Sequence, residues 1–251
     1  MKILKNITVF TMVMLLSVST VLEAREKNIS NFSSSASNLV DSTGTFDGNK
    51  IYADVANNGL FLDYHVSGDS ALEWPKGTGV HSIFQSALWM GATVNGSIRT
   101  IVGDYTQDMG PGPWGGDPLA AVHRIYKVEK SMLASPLDFA DFQEWPVEFG
   151  APWVDVDGDG VYTPLPGGTD HPEFLGDQVL WFVSNDGDPA YKLNFGTSPM
   201  NVEIQTTMFG FDRPDVFGDM VFLKQLVINK GSDDLVCLLY TSPSPRDNRT
   251  S

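Results

Sequence analysis

The stretch that decides the fold is residues 201–211, Asn-Val-Glu-Ile-Gln-Thr-Thr-Met-Phe-Gly-Phe. Side chains of two kinds alternate along it: Val202, Ile204, Thr206 and Met208 are separated by Glu203, Gln205 and Thr207. A period of two residues is typical of a strand with one face on the core and the other in water. The stretch therefore predicts a β-strand with one wet face.

Further strands are predicted on both sides of this stretch, where apolar runs end at Gly, Pro, Asn or Asp. They cover residues 60–66, 87–104, 121–130, 178–183 and 220–229. Within residues 87–104, Asn95-Gly96 separates two apolar runs. Because Asn-Gly tolerates the positive φ angles of a type I′ turn, this segment predicts a β-hairpin.

One short helix is predicted after Ser135. Ser135 is a suitable N-cap, Pro136 fits the first helical position, and Phe139 and Phe142 fall on one face. Pro146 ends the helix. Many short strands with a single minor helix predict an all-β fold, a β-sandwich-like domain with one short helix and long loops.

Composition excludes several classes of protein. The 251 residues carry a formal net charge of −15, which argues against binding nucleic acid or an anionic membrane. The single cysteine, Cys237, cannot form an intrachain disulfide. Stability must then come from core burial and, if carboxylates gather around an ion, from a divalent cation.

The N-terminal residues 1–24 resemble a signal peptide. Lys2 and Lys5 precede an apolar run over residues 7–22, and Ala24 offers a small residue for cleavage. A membrane anchor is the alternative, although the run is short and no basic cluster follows it. We therefore expect a secreted or outer-cell-surface protein with no membrane span after signal cleavage.

Four segments follow from composition. Residues 1–24 are the signal peptide, and residues 25–48 are a flexible lead rich in Ser and Asn. Residues 49–236 form the β-rich domain, which we expect to be truncated, and residues 237–251 form a tail of a different character.

The densest chemical feature is residues 155–162, Asp-Val-Asp-Gly-Asp-Gly-Val-Tyr. Its first seven residues match the first half of an EF-hand calcium loop, with carboxylates at alternate positions, a glycine at the sharp turn and a carbonyl after it. The match then fails, because position 12 is Pro166 where a bidentate Glu belongs. Asp170, Glu173 or Asp177 would have to close the coordination shell.

Two interpretations of this loop stay open: a structural Ca²⁺ site, or an Asp/Gly-rich turn with no ion. Three close carboxylates repel one another unless a cation lies between them, which favours calcium. The predicted ligands are Asp155, Asp157, Asp159, Val161, Asp170 and Asp177.

Catalysis is not favoured by any motif. Ser70 lies in a Gly-Asp-Ser-Ala-Leu stretch, but no residue at suitable spacing supplies the base that a serine nucleophile needs. Glu-Trp-Pro occurs at residues 73–75 and again at 144–146. Two carboxylates and two tryptophans suit a carbohydrate-active or carbohydrate-binding protein, which is the alternative function. The commoner position of Trp-Pro is a core edge beside a turn.

A set of motifs resembles one group of proteins. They are residues 73–77 (Glu-Trp-Pro-Lys-Gly), 86–91, 145–146, 150–153, the Asp155 loop, 176–181 and 211–214. Together they resemble the large secreted proteins of Bacteroidetes and related marine bacteria that carry type IX secretion sorting domains. The resemblance implies an exported, surface-associated protein with β-rich modules, and it carries no established catalysis, so no active site is transferred. We separately expect a surface polysaccharide or a protein as partner.

The last residues have a separate character. Residues 238–247, Leu-Leu-Tyr-Thr-Ser-Pro-Ser-Pro-Arg-Asp, resemble a translated sequencing adapter, with a genuine Ser/Pro linker as the alternative. The adapter interpretation predicts that the underlying nucleotides match adapter sequence. A clean genomic read through this junction would refute it.

Overall fold

The computed structural model describes residues 42–61, 72–103, 108–165 and 170–241 in full, and residues 8–13, 63–64 and 69–70 by their backbone. The first strands are β1 (Thr8–Val13), β2 (Thr43–Phe46), β3 (Tyr52–Ala56), β4 (Leu60–Phe61), β5 (Asp63–Tyr64), β6 (Asp69–Ser70), β7 (Leu72–Glu73), β8 (His81–Ile83), β9 (Ser86–Ala87), β10 (Trp89–Val94) and β11 (Ser97–Ile101). The later strands are β12 (Gly110–Pro111), β13 (Tyr126–Glu129), β14 (Trp153–Val154), β15 (His171–Pro172), β16 (Gln178–Asn185), β17 (Val202–Gly210), β18 (Val221–Asn229) and β19 (Val236–Thr241).

Helical structure is sparse. The α-helix α1 covers Ala140–Gln143. Short 3-10 helices cover Ala121–His123, Lys130–Ala134, Pro136–Asp138, Val147–Phe149, Pro189–Tyr191 and Val216–Asp219.

Two six-stranded sheets pack face to face. The main sheet has the order β1-β18-β17-β16-β12, with β13 also paired to β16; the second has the order β8-β7-β3-β4-β9, with β2 paired to β3. The core between them joins Phe46, Val55 and Phe61 of the second sheet to Leu180, Phe182, Met208 and Leu223 of the main sheet. The predicted all-β, sandwich-like fold is confirmed.

The predicted hairpin is also confirmed. Strands β10 and β11 pair with Val94 opposite Ser97. Asn95 and Gly96 both have positive φ, 51° and 78°, as a type I′ turn requires. The hairpin packs on Val202 and Ile204 and carries β19 on its other edge.

The predicted wet face of β17 is wrong, because both faces of this strand are covered. Glu203 and Thr207, on the face opposite the inter-sheet core, are only 2% and 4% exposed. A third layer, made by residues 130–165 and 170–175, lies on this face and includes the buried Trp145. Alternation of polar residues therefore indicated the strand correctly, but it could not indicate that a separate layer would exclude water from the polar face.

The predicted helix after Ser135 is interrupted. Phe139 adopts an extended conformation, with φ −123° and ψ 116°, and divides a 3-10 turn from the four-residue α1. Phe142 is buried, whereas Phe139 is 38% exposed. Since only one of the two aromatic side chains enters the core, packing does not hold both on one continuous helical face.

Two further predicted strands can be compared with the structure. In residues 121–130, only Tyr126–Glu129 form a strand, because residues 121–123 make a 3-10 turn that buries His123. In residues 60–66, the strands end at Tyr64, and residues 65–66 lie outside the described residues.

The segment boundaries can be compared with the fold. The β structure already includes Thr43–Phe46, inside the segment predicted to be a flexible lead, because Phe46 is fully buried in the inter-sheet core. The backbone of Thr8–Val13, within the predicted signal peptide, pairs with β18. Strand β19 crosses from the predicted domain into the predicted tail. In the described ranges, no helix has the length and apolar character needed to cross a bilayer.

Candidate metal centre

The acidic loop connects two short paired strands of the third layer. Strands β14 and β15 are antiparallel, with Val154 opposite His171. Asp155 immediately follows Val154, and Asp170 immediately precedes His171, so strand pairing brings these two aspartates together from opposite ends of the loop. Residues 166–169, including Pro166, lie outside the described residues.

Four carboxylates meet at this point. Asp155, Asp157, Asp159 and Asp170 each offer one oxygen, and these oxygens all lie within 4.8 Å of one another. The first three side chains are exposed, while Asp170 is 1% exposed. We call this group the four-Asp cluster. It presents four formal negative charges at a spacing that a single cation can span.

The loop backbone fixes the three exposed carboxylates. The N–H groups of Gly158 and Gly160 donate to the two oxygens of Asp155 at 2.7 and 2.9 Å. Gly158 and Gly160 have φ of 78° and 76°, a conformation that favours glycine. The Asp159 N–H donates to Asp157 at 3.2 Å, and the Val161 N–H donates to Asp159 at 2.7 Å. The glycines are therefore what allows the chain to fold back around its own carboxylates.

Asp170 is held from two directions. Its two oxygens accept hydrogen bonds from the N–H groups of Val156, at 2.9 Å, and Thr163, at 2.8 Å. Burial is the largest influence on its pKa and raises it, but these donors, the Thr163 hydroxyl and nearby His171 together leave the pKa lowered. Asp170 is thus a pre-positioned anion at the base of the loop.

The electrostatics of Asp157 reflect crowding by like charges. The Asp159 N–H is the largest influence on its pKa and lowers it. Desolvation and the negative charges of Asp159, Asp170 and Asp155 together outweigh that effect, so the pKa is raised. Such repulsion is relieved when a cation binds among the carboxylates.

The two other predicted ligands differ in their placement. The carbonyl of Val161 is next to the cluster along the chain and accepts a hydrogen bond from the Thr163 hydroxyl at 3.0 Å. Asp177 is outside the cluster: its carboxylate lies 3.2 Å from the Lys130 ammonium and accepts the Asp212 N–H at 3.0 Å. Asp177 directly precedes β16, so its position is set by the main sheet. The structure thus brings Asp170, and not Asp177, to the other three aspartates.

Tyr162 ties the loop to the rest of the third layer. Its hydroxyl donates to the Phe142 carbonyl at 2.6 Å, and its ring meets Trp153 edge to face at 5.5 Å. Burial raises the pKa of Tyr162, with a smaller contribution from the charge of Asp170. The loop is therefore anchored to α1 on one side and to β14 on the other.

The two Glu-Trp-Pro motifs do not form a sugar-binding face. Trp145 is 2% exposed and its indole N–H donates to the Pro152 carbonyl at 3.0 Å. Trp74 packs on the inter-sheet core and donates to Asp219 at 3.0 Å. Both residues occupy the core-edge position that Trp-Pro commonly takes, so neither supplies the exposed platform that the carbohydrate alternative needs.

The glutamates of these motifs are also engaged locally. Glu73 accepts a hydrogen bond from the Gly79 N–H, and the backbone donors of this turn, led by Gly79, hold its pKa low despite desolvation. Glu144 pairs with Arg124 at 3.0 Å. Glu73 is held by its own turn and Glu144 by Arg124, which gives no support to a facing pair of catalytic acids.

One charged group was not anticipated from the sequence. The ammonium of Lys192 lies 3.6 Å from Asp108 and 3.8 Å from Asp186, and all three side chains are at most 3% exposed. Asp186 and Lys192 lie in the connection between β16 and β17, whereas Asp108 comes from a distant loop before β12, so no short sequence motif links the three residues. We call them the buried charge network.

The fold and the site together define the class of this protein: it is an all-β sandwich whose third layer carries an acidic loop. No protein-family model, no curated protein and no solved structure matches the chain in the comparisons made with each.

Proposed function

We propose that this is an exported, cell-surface structural or interaction protein whose four-Asp cluster holds a structural Ca²⁺. The observation that carries the metal proposal is the convergence of four carboxylate oxygens within 4.8 Å. Calcium takes six to eight oxygen ligands at about 2.3–2.6 Å, so the aspartates would be completed by carbonyl oxygen and water. The Val161 carbonyl is the nearest candidate along the chain.

Export is supported by the signal-peptide pattern of residues 1–24 and by the resemblance to secreted, surface-associated proteins. With one cysteine in the chain, no intrachain disulfide can staple this fold. A cation that closes the loop between β14 and β15 would stabilise the third layer in its place. No catalysis is proposed.

Calcium is expected to raise the melting temperature of the wild-type protein. At a free concentration of about 100 times the dissociation constant, the shift should be about 5–10 °C, because a ligand that binds only the folded state stabilises it by mass action. EDTA should reverse the shift. Thermal unfolding followed by circular dichroism, with and without Ca²⁺, measures both effects.

Asp157→Ala should abolish most of the calcium-induced shift, since it removes one ligand from the cluster. Asp177→Ala is the matched control: it also removes an aspartate, but one that pairs with Lys130 outside the cluster. It should keep the shift at its full size. An absent shift in the wild type, or an equal shift in Asp157→Ala, would contradict the metal proposal.

A further inference from the structure

We propose that a cleft beside Trp114 is a binding site for a neutral sugar. The cleft has a volume of about 350 Å³ and lies between the loop 110–118 and the segment 185–191. This volume is in the range of small-molecule sites. Its lining includes two aromatic residues, Trp114 and Tyr191, and two polar residues, Asn185 and Asp188. The site goes beyond the proposed function, because it shares no residue with the four-Asp cluster.

Trp114 is an exposed but fixed aromatic platform. Its side chain is 44% exposed. Its backbone N–H donates to the buried Glu203 at 3.0 Å, and its indole N–H lies 3.3 Å from Asn201 Oδ1. These contacts hold the ring in place before any ligand arrives, which lowers the entropy lost on binding.

Two glycines shape the cleft by letting aromatic rings approach the backbone. A Cβ at Gly187 would lie 2.6 Å from the indole of Trp114, and a Cβ at Gly110 would lie 2.9 Å from the ring of Tyr191. Both distances are shorter than side-chain packing permits. Glycine at these two positions therefore sets where the aromatic walls of the cleft lie.

Asn185 holds the two walls together. Its amide donates to the Gly112 carbonyl at 3.0 Å, and its Oδ1 accepts the Gly187 N–H at 2.9 Å. Asp188 is exposed, and its Oδ1 accepts the Ala190 N–H at 2.9 Å. The Asp188 carboxylate is thus oriented by its own turn and presents an acceptor to a hydroxyl group at the mouth of the cleft.

The lining chemistry selects the class of ligand. None of the lining residues is Lys, Arg or His, so phosphate and other anions find no counter-charge there. A sugar combines a C–H face that can lie on an indole with hydroxyls that donate to a carboxylate. An organic cation is the competitor, but cationic cages use several aromatic faces. Here Tyr191 is only 4% exposed, which leaves one accessible face.

The test is direct binding of neutral oligosaccharides to the full chain, by glycan array and then by calorimetric titration of the best glycan. Trp114→Ala should weaken affinity about tenfold or more, because a central aromatic anchor is lost. Trp114→Phe should lose less, since a smaller aromatic face remains. Asp157→Ala should bind the sugar as the wild type does, which separates this site from the calcium loop.

Two further variants test the sugar site independently, in case the Trp114→Ala protein does not fold. Gly187→Ala should weaken binding by displacing the indole, and Asp188→Ala should weaken it by removing the acceptor. Tetramethylammonium chloride is the cationic probe. Failure of every neutral glycan to bind, sugar affinity unchanged in the folded variants of the cleft, or binding of tetramethylammonium alone would each overturn the proposal.

Discussion

Lys192→Met is expected to destabilise the protein by about 3–5 kcal/mol, because it leaves two carboxylates buried without their counter-charge. Methionine keeps an unbranched chain of similar length, so the loss comes from the charge more than from packing. Chemical denaturation at 25 °C measures the change in the free energy of unfolding.

The position of Lys192 explains why its removal should be costly. Its ammonium donates to the Thr100 carbonyl of the β10–β11 hairpin and lies beside Asp108 and Asp186. Asp186 in turn accepts the N–H groups of Met200, at 2.6 Å, and Val202, at 2.8 Å. The buried charge network thus ties the hairpin to the start of β17, and its loss should loosen that junction.

The pH dependence of this variant distinguishes charge from packing. Burial raises the pKa of Asp186 and lowers that of Lys192, against the opposing backbone donors and mutual attraction. A carboxyl whose folded pKa is raised costs stability above that pKa, and the cost is relieved as the pH falls through it. The positive charge of Lys192 lowers the pKa of Asp186, so we expect this pKa to rise further when Lys192 is removed. Lys192→Met should therefore recover part of its lost stability relative to the wild type when the pH is lowered from a neutral to a mildly acidic value.

Lys130→Met is the matched control. Lys130 pairs with Asp177 at 3.2 Å, but this pair is exposed, and its loss should cost about 1 kcal/mol or less. If Lys192→Met were no more destabilising than Lys130→Met, or if its deficit were the same at both pH values, the network would not be a compensated buried charge.

Trp145→Ala is expected to destabilise the protein by about 3–5 kcal/mol, the usual cost of removing a large aromatic side chain from a core. The ring is buried between Tyr126, with centroids 6.3 Å apart, and Trp181, at 6.4 Å. Its removal leaves a cavity where the third layer meets the main sheet. Denaturant unfolding, with the m-value checked for constancy, gives the loss.

Trp114→Ala is the control that tests whether the loss of stability in Trp145→Ala comes from burial of the ring. Trp114 is a tryptophan of the same volume that is 44% exposed, so its replacement should cost clearly less than that of Trp145, about 1–2 kcal/mol. Equal losses at the two positions would contradict the burial assigned to Trp145. Loss of sugar binding in a stable Trp145→Ala protein would restore the sugar-platform interpretation of the Glu-Trp-Pro motif.

The local parts of the fold were predictable from sequence because their causes are local. The Asn95-Gly96 turn needs two positive φ angles, which these residues tolerate, and the main-sheet strands after residue 177 follow from short-range apolar patterns. The predictions that were wrong concern features that depend on residues far away in the sequence. The polar face of β17 is covered by residues 130–165 and 170–175, and Phe139 leaves the helix because only Phe142 finds a core position.

The candidate metal site was likewise predictable only where its geometry depends on residues close together in the sequence. The alternating carboxylates at 155, 157 and 159 define the loop locally, so the sequence identified them. The choice between Asp170 and Asp177 depends on the register of β14 and β15, which no single-sequence pattern specifies. The Trp114 cleft depends on the meeting of two distant loops, and the sequence signal for it is limited to a tryptophan within a stretch rich in glycine and proline.

The contact between Trp153 and Tyr162 gives the acidic loop an optical signal. Of the six tryptophans in the chain, Trp153 lies two residues before Asp155 and meets Tyr162 edge to face. Indole emission depends on the polarity and rigidity of its surroundings, so ordering of residues 155–162 would change the intensity or wavelength of Trp153 fluorescence. Subtracting the spectrum of Trp153→Phe isolates this emission, and the state of the loop can then be followed by stopped-flow mixing at micromolar protein concentration.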